Sequence, residues 1–133
     1  MEINEKLSSA IFSVGRLIRE KMRVDCAGDF TQTEIEALKF IEGNKNSTMR
    51  QIADYLYIKP SSATSLINNL FKKGVIKRSG NKKDRRTIYI VATAKGLKTL
   101  QKKYKTIHKT ISNVFVKLSK KDKEHLIKIF SKI

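Results

Sequence analysis

The amino-acid sequence predicts a mainly α-helical fold with one small β-hairpin. Between residues 48 and 93, two short amphipathic helical segments precede two runs rich in β-branched residues, and the loop between those runs is basic. Longer segments with a helical spacing of apolar residues flank this region on both sides. This order of elements predicts a winged helix-turn-helix flanked by N- and C-terminal dimerisation helices.

The N-terminal segment predicts one amphipathic helix. Apolar residues recur at helical spacing from Ile3 to Ile18, and the pattern ends near Met22. The first residues are charged, so the segment fits neither a signal peptide nor a membrane span. We therefore expect a cytoplasmic protein. Its single cysteine agrees with a reducing compartment.

Three helix starts follow from local signals. Thr31 with Glu34, and then Thr48 with Gln51, have the spacing of a capping box, in which each side chain satisfies a free backbone amide of the other residue. Pro60 suits the first position of the next helix, because its missing N–H would have no partner there. These signals predict a second, a third and a fourth helix.

The fourth predicted helix has two chemically distinct faces. Its buried face is expected to consist of Ala63, Leu66, Ile67 and Leu70. Small polar and basic residues make up the rest, namely Ser61, Ser62, Thr64, Ser65, Asn68, Asn69 and Lys72. A helix that only faces solvent usually includes Glu or Asp, and this face has neither. Short hydroxyl and amide side chains let a helix approach phosphates and base edges, so we predict a recognition helix for the DNA major groove.

The predicted hairpin joins residues 75–78 and 87–91 through a basic loop. Its cationic residues are Lys82, Lys83, Arg85 and Arg86. Asp84 is unusual among them, because a carboxylate should weaken contact with phosphate. We expect Asp84 to hold Arg86 so that its guanidinium points into the narrow minor groove.

The net charge supports a polyanionic partner. The chain has 29 Lys and Arg against 12 Asp and Glu, which gives a formal charge of +17 on 133 residues. Contacts between Lys or Arg and phosphate release counterions, and they make nucleic-acid binding strongly dependent on salt. Many single lysines are still expected to be ordinary solvated helix surface.

The C-terminal part predicts dimerisation helices. From Leu97 to Leu118 the apolar residues follow an alternating three-four spacing, which favours association between helices. Ser119 has the character of a new N-cap, and the last helix has its own apolar stripe. We divide the chain into an N-terminal helix of a dimer platform (1–30), a DNA-binding winged helix-turn-helix (31–93) and C-terminal dimerisation helices (94–133).

The chain resembles the MarR family of transcriptional regulators over nearly its whole length. The resemblance rests on the order and spacing of six segments: Ile52-Ala53-Asp54-Tyr55-Leu56, the run from Ser61 to Leu70, Lys73-Gly74-Val75-Ile76, Asp84-Arg85-Arg86, Thr93-Ala94-Lys95-Gly96 and Leu118-Ser119. It implies a homodimer that binds double-stranded DNA at a pseudo-palindromic operator, acts as a repressor and responds to a small-molecule effector. Where many members have Arg in helix 4, this chain has Ser65.

Other functions have less support in the sequence. The two histidines, His108 and His125, have no spacing that predicts a catalytic or metal site, so we expect no enzyme, no metal and no cofactor. Cys26 is a candidate redox sensor, although its mixed charged neighbours favour a structural role. The alternative to a regulator is an architectural or RNA-binding winged-helix protein without effector control, which would explain the charge but would not need a dimer.

Overall fold

The computed structural model describes residues 2–26, 28–80, 83–84 and 86–133. Over these residues the chain forms six α-helices and one antiparallel sheet of two strands. In chain order the elements are α1 (Ile3–Asp25), α2 (Gln32–Gly43), α3 (Met49–Leu56), α4 (Pro60–Lys72), β1 (Ile76–Gly80), β2 (Ile88–Ala92), α5 (Ala94–Val114) and α6 (Lys120–Phe130). The predicted fold class, mainly α with a small β-wing, is confirmed.

The chain divides into two compact units. One consists of residues 28–104 and is called here the core unit, and the other consists of residues 1–27 and 105–133 and is called the terminal unit. The core unit contains α2, α3, α4 and the hairpin. The roles given above to the three segments of the chain, in dimerisation and in DNA binding, stay predictions.

The core unit is built around one apolar cluster. Its members come from α2, α3, α4, the residue before β1, both strands and the first turns of α5: Ala37, Leu38, Ile41, Ile52, Ile67, Leu70, Val75, Ile76, Ile90 and Leu100. Each is at most 3% exposed. Burial of the Leu, Ile and Val side chains stabilises the fold by roughly 1.5–3 kcal/mol each, so this cluster determines how α4 and the hairpin are placed together.

The helix starts form as the sequence predicts. Glu34 donates its backbone N–H to Thr31 Oγ1 (3.1 Å), and Thr31 donates its own to Glu34 Oε1 (2.9 Å). Thr48 and Gln51 make the same reciprocal pair at 3.0 and 3.2 Å. Pro60 opens α4, and Ser119 caps α6. Local side-chain chemistry therefore determines where these helices begin.

Both strands of the hairpin begin one residue later than predicted, and they end at Gly80 and Ala92 rather than at residues 78 and 91. β1 pairs with β2 from Ile76 opposite Ala92 to Gly80 opposite Ile88. Val75 does not join the ladder, because its N–H bonds to the Leu70 carbonyl at the end of α4 and its carbonyl accepts from Thr93. Both of its backbone groups are thus used by other elements. Thr87 likewise lies before β2 and bonds back to the Asp84 carbonyl.

Gly96 lets the start of α5 lie against the turn before β1. A β-carbon at Gly96 would lie 2.2 Å from the Val75 carbonyl oxygen, far inside van der Waals contact. Thr93 caps α5, since its Oγ1 accepts from the Gly96 N–H (3.1 Å) and donates to the Gly74 carbonyl (2.7 Å). Gly74 itself has a left-handed backbone, with φ of 74°. These contacts explain why Thr93 and Gly96 stand three residues apart.

The terminal unit leaves many apolar side chains exposed. Thr110 is buried, and its hydroxyl donates to Asp25 Oδ2 at 2.7 Å, which joins α5 to the end of α1. Neither α1 nor α6 contains a buried residue. Large exposed apolar side chains on these two helices are Ile3, Leu7, Ile11, Phe12, Val14, Leu17, Val24, Ile127, Ile129 and Phe130. This exposure bears on the oligomeric state.

Two helix ends of the terminal unit differ from the prediction. α1 continues to Asp25, beyond the predicted end near Met22. α5 ends at Val114, although the apolar spacing continues to Leu118. Past Val114 the backbone forms tight turns, with Leu118 bonded to the Phe115 carbonyl, and these turns lead into the N-cap of α6. The apolar spacing therefore extends beyond the helix itself.

Candidate nucleic-acid interface

Helix α4 separates its two faces as predicted. Ala63, Ile67 and Leu70 are fully buried in the core unit, and Leu66 is half-buried against the same cluster. All seven residues predicted to face DNA are exposed: Ser61, Ser62, Thr64, Ser65, Asn68, Asn69 and Lys72. The Thr64 hydroxyl donates to the Pro60 carbonyl within the helix (3.0 Å), so it can only accept from a further partner. The exposed face of α4 therefore offers hydroxyls, amides and one cation.

The turn before α4 has an unusual backbone. Tyr57 ends α3 in the left-handed region with φ of 53°, and its side chain is 97% exposed. A residue with a β-carbon adopts this region at a cost of about 1–2 kcal/mol, which glycine avoids. The Tyr57 N–H bonds to carbonyls of the last turn of α3, which stabilises the sharp turn into α4. Tyr57 has no sequence signal for this role, because glycine is the residue usually found at left-handed positions.

An ion pair fixes the other end of α4. Lys73 Nζ lies 2.9 Å from Glu34 Oε2 and 3.1 Å from Glu34 Oε1. The same ammonium donates to the Asp29 carbonyl and lies 4.7 Å from the centre of the Phe30 ring. These contacts tie the C-terminal end of α4 to the start of α2. The pair was not predicted, because 39 residues separate Glu34 from Lys73 and no local pattern relates them.

The environment of Glu34 favours its charged form. Burial alone raises the pKa of its carboxyl group, but hydrogen bonds from the Thr31 backbone and from Lys73, together with the charge of Lys73, act in the opposite direction. The net effect lowers the pKa below its ordinary value of 4.5. A carboxylate with a lowered pKa stabilises the folded state above its unfolded pKa, and this contribution is lost as the pH falls through the folded value.

Glu34→Gln is expected to destabilise the protein at neutral pH by about 1–3 kcal/mol, the usual size for hydrogen bonds to charged groups. Glutamine can still complete the capping box, so the change removes the charge and one of the two oxygens that accept from Lys73. The difference from wild type should shrink as the pH falls below 4.5, where Glu34 itself becomes protonated. Urea unfolding at pH 7 and at about pH 3 measures both values. Glu36→Gln, an exposed change on the same helix, is the control; equal effects of the two variants at pH 7 would contradict the role of the ion pair.

Asp84 makes two hydrogen bonds to described residues that follow it in the wing. Asp84 Oδ1 accepts from the backbone N–H of Arg86 (2.9 Å), and Oδ2 accepts from the Thr87 hydroxyl (3.2 Å). Asp84 therefore contacts Arg86 through the main chain. Lys83 and Arg86 are exposed. The other two predicted wing contacts, Lys82 and Arg85, lie outside the described residues.

The described residues give little support for a redox site, a metal site or a membrane span. Cys26 is half-buried, with its sulfur 3.7 Å from that of Met22. Across the described part of the chain, His, Cys, Asp and Glu side chains form no group of three or more that could hold a metal ion. No helix in that part is both long and apolar enough to cross a membrane.

The fold and the exposed face of α4 define a class of protein, the winged helix-turn-helix proteins. Comparison with known proteins shows which family the chain is similar to. Residues 30–88 match the model of the MarR family. The chain is 27% identical over 96 residues to the uncharacterised HTH-type transcriptional regulator YwhA of Bacillus subtilis. The matched region covers 72% of this chain and 69% of YwhA.

Solved structures of low sequence identity share the fold. The multiple antibiotic resistance repressor MarR has a TM-score of 0.79 at 16% identity, over 99% of this chain and 94% of its own. Staphylococcus aureus MepR bound to ethidium bromide has a TM-score of 0.64 at 18% identity, over 99% and 94% of the two chains. The chain therefore resembles MarR-type transcriptional regulators in residues 30–88, in its similarity to YwhA and in its fold. The predicted resemblance is confirmed.

Proposed function

We propose that the protein is a homodimeric, sequence-specific repressor that binds a pseudo-palindromic operator and releases it in response to a small molecule. The observation that carries the proposal is the exposed face of α4. It presents hydroxyl, amide and ammonium groups, and no carboxylate occurs anywhere in the helix. Such a face can approach a polyanion closely, and its amides can bond base edges in the major groove.

We assign the contacts to two groups of residues. Ser61, Ser62, Thr64, Ser65, Asn68, Asn69 and Lys72 of α4 would contact the major groove. Lys82, Lys83, Arg85 and Arg86 of the wing would contact phosphates and the minor groove, with Asp84 positioning Arg86. Ser65 is too short to reach bases as a long arginine does, so base selection on this helix falls mainly to Asn68 and Asn69.

The homodimer is supported by the terminal unit. Ile3, Phe12 and Phe130 are 77%, 72% and 61% exposed, and they stand among a larger group of exposed apolar side chains on α1 and α6. Monomeric proteins rarely expose apolar surface on this scale, because covering it from water is favourable. A second copy of the chain would cover these helices, and it would present two recognition helices to the two halves of a palindromic operator.

Effector control is supported by a relative rather than by a site in this chain. The S. aureus MepR structure holds ethidium bromide, a small planar cation, on a shared fold. Ethidium is therefore the first compound to titrate against the protein without DNA, because it intercalates into duplex DNA and would disturb a protein–DNA complex directly. We place the protein in the cytoplasm, where its proposed partner is found.

The experiment that tests the function measures stoichiometry and the type of nucleic acid together. A duplex operator is first selected from a random pool, and light scattering then follows the protein alone and with that duplex. We expect a dimer at micromolar concentration, one dimer per duplex, and weak binding to an RNA duplex of the same sequence. A stable monomer, or equal affinity for RNA, would instead favour an architectural or RNA-binding protein.

A further inference from the structure

An open groove lies between the C-terminal half of α4 and β1. Its volume is about 600 Å³, and it is lined by Asn68, Phe71, Lys72, Ile76, Lys77 and Arg78. Three of these six side chains are cationic and one is an amide, and none is acidic. Lys72, Lys77 and Arg78 are all exposed. The lining therefore favours an anionic ligand.

An aromatic ring orients one of these cations. The guanidinium of Arg78 lies 5.1 Å from the centre of the Phe71 ring. Phe71 is half-buried and packs against the apolar cluster of the core unit, so the ring is a rigid support. A guanidinium over the face of a ring is attracted to the ring, and its planar set of N–H donors can still bind a phosphate. Arg78 is thus held in a form suited to bind one.

The groove occupies the space between the two proposed DNA-binding elements. Asn68 and Lys72 belong to the exposed face of α4, and β1 runs from Ile76 to Gly80, directly before the wing loop. When one element enters the major groove and another enters the adjacent minor groove, a sugar–phosphate backbone separates them. The surface that joins the two elements must face that backbone.

We propose that this groove binds the DNA backbone between the major and minor grooves, with Arg78 and Lys77 contacting phosphates and Phe71 acting as a positioning residue for Arg78. This inference rests on the proposed function. It assigns β1 to the interface, in addition to α4 and the wing. On this proposal Arg78 contributes to DNA binding through its position, whereas most lysines contribute only to the net charge.

The test measures operator affinity as a function of salt for the full-length protein. Arg78→Ala should weaken binding at least about tenfold at low salt, since a charge-assisted hydrogen bond is lost. It should also reduce the slope of log affinity against log salt by about 0.9 per lost phosphate contact, or about 1.8 for a dimer. Lys98→Ala, the same loss of charge at an exposed position of α5 outside the groove, is the matched control and should change the slope little.

Two further variants test the positioning role. Arg78→Lys keeps the charge but loses the planar stack, and Phe71→Leu removes the ring while keeping an apolar side chain. Both should lower affinity several-fold and leave the salt slope near that of wild type. Thermal unfolding verifies that each variant is folded. If Phe71→Leu does not fold, Arg78→Lys, an exposed change, still tests the positioning role.

The outcomes separate this inference from the function on which it rests. A wild-type protein that binds no duplex would overturn both. A wild-type protein that binds its operator, with Arg78→Ala indistinguishable from Lys98→Ala in affinity and slope, would overturn the groove inference alone. Full affinity in Phe71→Leu and Arg78→Lys would reject the positioning role of Phe71.

Discussion

Asp84→Ala is expected to weaken specific operator binding, even though it removes a negative charge from a cationic loop. The Asp84 carboxylate accepts from the Arg86 backbone N–H and from the Thr87 hydroxyl, so its loss frees the backbone that carries Arg86. Arg86→Ala should cost about 1–3 kcal/mol for each lost groove contact. The double variant should bind little worse than Arg86→Ala alone, because nothing would remain for Asp84 to position. Fluorescence anisotropy with the selected operator measures the cycle.

Asp84→Asn is the matched control for charge. An asparagine oxygen can still accept from the Arg86 N–H, while the negative charge is removed as completely as by alanine. If the wing were only a cationic arm, both Asp84 variants would bind more tightly than wild type, most clearly at low salt. If Asp84 positions the loop, asparagine should retain most of the specific affinity and alanine should not. Additive losses in the cycle, or tighter operator binding by Asp84→Ala, count against positioning.

Asn68→Ala is expected to change which operator variants the protein prefers. A lost base-edge contact costs about 1–3 kcal/mol at the affected base pair and little at others. Ser62→Ala should act in the same way if its hydroxyl bonds a base. The measurement is a competition among duplexes that differ at single positions, performed with each variant.

Lys83→Ala provides the contrast to Asn68→Ala. A phosphate contact has the same strength for every sequence, so this change should weaken all duplexes about equally and reduce the salt slope by about 1 per contact. The pair of variants therefore separates recognition from attraction. If Asn68→Ala instead lowered affinity for every duplex by one common factor, α4 would not select the sequence.

Local chemistry explains which parts of this fold could be predicted. Capping residues such as Thr31, Thr48 and Ser119 act within one helical turn, so the sequence alone indicates where α2, α3 and α6 begin. The buried side of α4 followed from periodicity, because Ala63, Ile67 and Leu70 recur with the helical repeat. The family resemblance depended on the same local segments.

The features that were missed depend on residues far apart in the chain. Nothing near Lys73 indicates its partner Glu34, and nothing near Gly96 indicates the Val75 carbonyl that excludes a β-carbon. The hairpin limits were inexact because Val75 has β propensity, yet its backbone bonds to α4 and to Thr93. Propensity describes a residue by itself, whereas these positions are determined by tertiary contacts.

In the candidate site, too, the locally determined features were predicted and those that depend on tertiary contacts were not. Residue types and spacing predicted the exposed face of α4, because that face depends only on a helical repeat. The stack of Arg78 on Phe71 was not predicted, since it requires a helix and a strand to be adjacent. The contact between Asp84 and the Arg86 main chain was not predicted in this form, since the prediction concerned only the direction of the Arg86 guanidinium.

The capped helix starts also bear on how the protein moves. Side chains satisfy the first free amides of α2 and α3, so local opening of these helices begins at their C-terminal ends. In α3 that end is the turn at Tyr57, whose backbone is already in an unfavourable conformation. We therefore expect the backbone directly before α4 to open more easily than the capped start of α3. Amide hydrogen exchange at Tyr57 and Ile58 would therefore report the docking of α4 on DNA before any change reaches the core.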